Sequence, residues 1–95
     1  MRVRIKYFAS AREIAGLREE TLEIEDSATV MDLLRALVNK HGDALKEYVF
    51  DPKTKDPRTH LQFLLNGRAI HMLQGFDTSL TNDCTLSIMP PVAGG

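Results

Sequence analysis

The stretch from Thr29 to Gly42 restricts the fold more than any other part of this chain. Val30, Leu33, Leu34, Leu37 and Val38 recur at intervals of three and four, which lays one apolar stripe along a helix. Thr29 is a suitable N-cap, since its hydroxyl can accept from a first-turn N–H. Asp32, three residues on, makes a variant capping box and sets an anion at the positive end of the helix dipole. Lys40 and His41 fall in the last turn, and Gly42 suits the residue that ends it. A helix apolar on one side must lie on another apolar face, and the flanking sequence supplies a sheet.

On the N-terminal side, residues 2 to 8 alternate, with Val3, Ile5 and Tyr7 on one face and Arg2, Arg4, Lys6 and Phe8 on the other. A short helix over Ala9 to Ala15, ended by Gly16, decorates the loop to a second strand. That strand is expected over Thr21 to Glu25, with Leu22 and Ile24 inward. After the main helix, Asp43 to Phe50 suggests a second short helix, and the polar, twice-prolined run from Asp51 to His60 is a surface loop. Leu61 to Leu65 reads as the third strand, and Asn66-Gly67 is a strong hairpin turn into a return strand over Arg68 to Ile70. Turns follow at Gly75 and Asp77 to Ser79, and Thr85 to Met89 is the last strand, with Leu86 and Ile88 inward. The expectation is an α+β fold, a mixed sheet of about five strands packed on one main helix, with a right-handed crossover bringing the last strands beside the first. Residues 1–89 form the body and 90–95 an extended tail.

Composition limits what this fold is asked to do. Ninety-five residues with 12 basic and 13 acidic side chains carry a net charge of −1, so nothing draws the chain as a whole to nucleic acid or an acidic membrane. One cysteine, Cys84, permits no internal disulfide and fits a buried small side chain where a turn enters an inward-facing strand. The start has no apolar leader and no run is long enough to span a membrane, which together point to the cytoplasm. The glycines lie at 16, 42, 67, 75, 94 and 95, without phosphate-loop spacing. His41, His60 and His71 stand apart from one another and read as surface or turn residues rather than as metal ligands. No bound metal, resident cofactor or self-contained active site is expected.

That leaves the end of the chain, Pro90-Pro91-Val92-Ala93-Gly94-Gly95. The prolines have fixed φ and no N–H, so they favour an extended segment that does not rejoin the sheet. Gly94 and Gly95 have no Cβ, so their backbone can enter a channel closed to side chains and carry the Gly95 carboxylate with it. Six extended residues reach about 20 Å.

These residues resemble the MoaD/ThiS sulfur-carrier family of ubiquitin-like β-grasp domains, and the MoaD branch most. The likeness rests on Ile5 to Gly16 (IKYFASAREIAG), Ala28 to Leu34, Leu65-Asn66-Gly67, Gly75 to Leu80 and Ile88 to Gly95, and so spans nearly the whole chain. Two departures stand out: Asn82-Asp83-Cys84 replaces the family's Asp-Gly-Asp turn, and the 51–60 loop is longer and more polar. The resemblance implies that an adenylating enzyme of the ubiquitin-activating type uses ATP on Gly95. Sulfur transfer then leaves a thiocarboxylate there, with Pro90 to Gly94 giving access to it. It implies that the chain is the non-catalytic small subunit of molybdopterin synthase, in a heterotetramer with the large subunit, donating sulfur to a pterin precursor. The alternatives are isopeptide attachment through Gly95 to lysines of target proteins, or sulfur delivery to another pathway such as thiamine. Phe8, Leu64 and Met89 are apolar residues on nominally outward strand faces, and such residues often mark an interface. They are the candidate partner-docking surface.

Overall fold

In the computed structural model, which describes residues 1–90, strand β1 (Arg2–Tyr7) buries Val3, Ile5 and Tyr7 completely and leaves Arg2 and Arg4 exposed. Strict alternation turns every second side chain to the core. Helix α1 (Ala9–Ala15) follows at once and stops at Gly16, whose φ of 79° is the left-handed closure that glycine adopts without a Cβ clash.

Strand β2 (Glu19–Glu23) pairs antiparallel with β1, Arg2 opposite Glu23 and Lys6 opposite Glu19. It therefore begins two residues earlier than the alternation of Leu22 and Ile24 suggests, and it ends two earlier than Glu25. The reason is the register: Glu20 lies opposite the buried Ile5, so an acidic residue occupies an inward position. Ile24 lies past the strand yet still packs against the core, with its N–H donating to Met1 O at 2.9 Å.

Helix α2 (Val30–His41) has the expected cap at Thr29. The Asp32 N–H donates to Thr29 Oγ1 at 3.3 Å and the Thr29 N–H to Asp32 Oδ2 at 2.9 Å. Val30, Leu33, Leu34, Leu37 and Val38 are its buried stripe, and Gly42 ends it at φ 94°. Helix α3 (Asp43–Val49) adds Leu45 and Val49 to the same core. The 51–60 run stays largely exposed but closes on itself: Pro57 is buried and bridges to Phe50, and the Arg58 N–H donates to Val49 O at 2.7 Å.

Strand β3 (Gln62–Leu65) turns through Asn66-Gly67, both at positive φ, into β4 (Arg68–Ala69). β4 is one residue shorter than expected because Ile70 is drawn into the core by a 3₁₀ turn over Ile70–Met72. A second such turn, Gly75–Asp77, leads to β5 (Thr85–Met89). The sheet order is β2-β1-β5-β3-β4, with β5 parallel to β1 and the other pairs antiparallel. The first and last strands thus lie side by side in the interior of the sheet, with both C-terminal ends at the same end of it. Cys84 is buried, 2% exposed, and Asp83 beside it takes φ 64°, a conformation aspartate tolerates better than most residues.

Candidate functional site

The parallel pairing of β1 and β5 decides what surrounds the start of the tail. Tyr7 stands opposite Ile88, and the Phe8 N–H donates to Ile88 O at 3.3 Å, which sets Phe8 beside Met89. On the other flank Gln62 faces Met89 and Leu64 faces Ser87, so Leu64 is one diagonal step from Met89. By strand alternation Phe8, Leu64 and Met89 share the sheet face turned away from the helices, and all three are half-buried. Pro90, also half-buried, leaves from the middle of this group.

The sheet face is framed by cations. The Arg12 guanidinium lies 5.7 Å from the Phe8 ring centroid, and its Nε donates to Tyr7 O at 3.1 Å. That stacking covers part of Phe8 and holds the first turn of α1 against the end of β1. Arg4 and Lys6 stand on the same face of β1 as Phe8. Pro91, Val92, Ala93, Gly94 and Gly95, to which the sequence assigns access and reactivity, lie outside the described residues.

On the core side of the same end is a cluster that the sequence reading missed. Glu20, with its side chain 9% exposed, accepts from Lys40 Nζ at 2.6 Å through Oε1, and from the Tyr7 hydroxyl and His41 Nε2 through Oε2. An ionised carboxylate can only accept, so His41 Nε2 carries a proton. Burial disfavours the charged form of Glu20, but the bonds from Lys40, Tyr7 and His41 outweigh it and hold its pKa below the ordinary value. Burial, then the bond to Glu20, pushes the Tyr7 hydroxyl far up. His41, read from sequence as an isolated surface or turn residue, is 13% exposed and stands edge-on to Tyr7, with ring centroids 6.0 Å apart. Its partner is 21 residues away, so no local spacing announces the pair. Lys40 is ion-paired to Glu20 and no buried side-chain polar atom of the set lacks a hydrogen bond, which suits fastening β2 to α2 more than proton transfer. Among the described residues no three His, Cys, Asp or Glu side chains converge as a metal site would require.

A β-grasp body whose central strand leads into a short carboxyl-terminal segment defines the class of ubiquitin-like carriers and modifiers. The sequence pattern of the ThiS family matches residues 5–95, and the chain belongs to that family. It is 34% identical over 95 residues to small archaeal modifier protein 3 of Haloferax volcanii, covering all of both chains. It is 28% identical, again over the full length of both, to the molybdopterin synthase sulfur carrier subunit of Chlamydomonas reinhardtii. The crystal structure of small archaeal modifier protein 1 from Haloferax volcanii superposes with a TM-score of 0.86 at 33% identity, covering 100% of each chain. The ubiquitin-like β-grasp fold expected from the sequence is therefore the observed one.

Proposed function

We propose that this chain is a sulfur carrier whose Gly95 carboxylate is adenylated at the expense of ATP by a ubiquitin-activating-type enzyme and then converted to a thiocarboxylate. In this reading it is the non-catalytic small subunit of molybdopterin synthase and delivers sulfur to a pterin precursor. The observation that carries the reading is the family match, which runs through Gly94 and Gly95 to the last residue. The chemistry is consistent with it. A carboxylate is a poor electrophile until one oxygen becomes a leaving group; an acyl-adenylate supplies that group and splits one hard step into two easier ones. Two residues without Cβ let a partner's active site close around the reacting atom. Phe8, Leu64 and Met89 are the proposed docking surface for those partners.

Intact mass after incubation with the activating enzyme, ATP and a sulfur donor tests this directly. The expected species has one oxygen of Gly95 exchanged for sulfur; its absence overturns the reading. Phe8→Asp, with the fold retained, is expected to weaken binding to the synthase large subunit by about tenfold or more, as loss of a central aromatic contact does. Unchanged affinity rejects that surface.

A second reading is favoured by a specific observation: the identity to an archaeal modifier protein is 34% against 28% to the sulfur carrier subunit. Here the same activated Gly95 is passed to a lysine amine of another protein. Trypsin would leave a long branch on such a lysine, because no Lys or Arg follows Arg68. A branched peptide running from Ala69 to Gly95 is the signature to seek, and its absence from a well-sampled proteome removes this reading.

A further inference from the structure

β2 is one edge of the sheet, and its outer side has no partner strand among the described residues. The Ile24 N–H donates to Met1 O at 2.9 Å, the Met1 amino group donates back to Ile24 O at 2.7 Å, and the Tyr7 N–H donates to Arg18 O at 2.9 Å. Antiparallel bonding alternates along a strand, so Glu20 and Leu22 turn their backbone groups toward β1. Glu19, Thr21 and Glu23 then turn theirs outward. Beside this open edge runs a groove bounded by Glu23, Ile24 and Glu25 on one side and by Asp32 and Ala36 of α2 on the other, with Ala28 between them. Its apolar lining is small, and its rim is acidic.

The acidic side chains here differ in what holds them. Asp32 is committed to the Thr29 cap, Asp26 to the Met1 amino group, and Glu20 to Lys40, His41 and Tyr7. Glu19, Glu23 and Glu25 are exposed and have no cation within ion-pair distance among the described residues. Arg2 stands opposite Glu23 across the strand pair but is bonded to Asp83. The same charges exclude a second copy of this chain as the occupant. Antiparallel pairing of two β2 edges about Thr21 would set Glu19 opposite Glu23 twice, and like charges directly opposite are unfavourable.

We propose that the β2 edge is a docking site for an extended, basic segment of a partner protein, which adds to the sheet as a further strand. Its backbone bonds to Glu19, Thr21 and Glu23. Alternate small apolar side chains lie over Ile24, Ala28 and Ala36, and its Lys or Arg side chains meet Glu19, Glu23 and Glu25. The site requires nothing of Gly95 and stands apart from the proposed activation chemistry.

The probe is a synthetic peptide of alternating valine and lysine, blocked at both ends, added to the nitrogen-labelled full chain. Amide shifts and slowed hydrogen exchange are expected at Thr21 and Glu23. The same peptide N-methylated on its lysines, so that those residues cannot donate to the edge, is expected to lose that protection. Glu23→Lys with Glu25→Lys is expected to weaken binding by about tenfold or more. Both sites are exposed, and Glu23→Gln with Glu25→Gln repeats the test without charge reversal should the first pair unfold. Equal binding of the N-methylated peptide, protection centred on another strand, or no binding at all overturns the proposal.

Discussion

Ala9 and Lys55 are the two described residues at positive φ whose residue types do not favour it, and Ala9 is the one at the junction of β1 and α1. It takes φ 51° between the end of β1 and the body of α1, a left-handed conformation that an L-residue with a Cβ adopts at a cost of about 1 kcal/mol. The geometry persists because the chain is held on either side of it: the Phe8 N–H is bonded to Ile88 O, and Arg12 is stacked on Phe8 and bonded to Tyr7 O. Ala9→Gly removes the clash, and the stabilisation expected is up to about 1 kcal/mol, reduced by the greater freedom glycine has when unfolded. A urea titration with an unchanged slope and a raised midpoint checks it. Positive φ was legible beforehand where the residue type announces it, as at Asn66-Gly67 and at Asp83 in the turn before β5, but not at Lys55, which takes φ 69° in the 51–60 loop. Alanine is the best helix former and announces nothing of the kind, so the strain at Ala9 follows only from how α1 is joined to β1.

At the scale of elements, β2 is held to α2 through Glu20. Its pKa lies below the ordinary value of 4.5, so the folded state binds its proton more weakly than the unfolded chain does. The stability it contributes is present above that ordinary value and is lost as pH falls through the lower, folded one. Glu20→Gln is expected to cost about 1–3 kcal/mol at neutral pH, since Lys40, Tyr7 and His41 lose a charged acceptor. The gap between variant and wild type should close as pH falls through the acidic range. Denaturation curves of both proteins across that range measure it; a gap that does not change with pH would remove Glu20 as its source. The helix in this arrangement was legible in detail, because capping box, apolar stripe and closing glycine all act over short distances. The start of β2 was not. Glu19 and Glu20 fall before the alternation of Leu22 and Ile24, and only a helix end 21 residues away makes an inward position for Glu20 possible. Phe8, Leu64 and Met89 were named together as one surface because each falls on an outward strand position, and their placement side by side depends on the register of β5 between β1 and β3.

Over the whole molecule, the order of elements followed from the sequence because each hydrophobic period is a local property, and a helix between two strand pairs leaves few ways to cover its stripe. Strand adjacency is not local: it is the buried Leu86 and Ile88 that take β5 into the gap between β1 and β3, where it is parallel to the first and antiparallel to the second. The consequence is a division of labour along the chain. Every buried hydrophobic residue of the described structure lies between Val3 and Ile88. Stability in a domain this size comes chiefly from such burial, and the described residues already supply a closed core. Deleting Gly94 and Gly95 together is therefore expected to leave the thermal midpoint unchanged within experimental scatter while abolishing thiocarboxylate formation and any lysine conjugate. Calorimetry reads the first effect and intact mass the second. A large fall in the midpoint would mean that the last residues support the fold. An unaltered mass exchange after the deletion would mean that Gly95 is not the reacting residue. The two outcomes separate a structural role from a chemical one, because the midpoint reads the core and the mass reads the carboxylate.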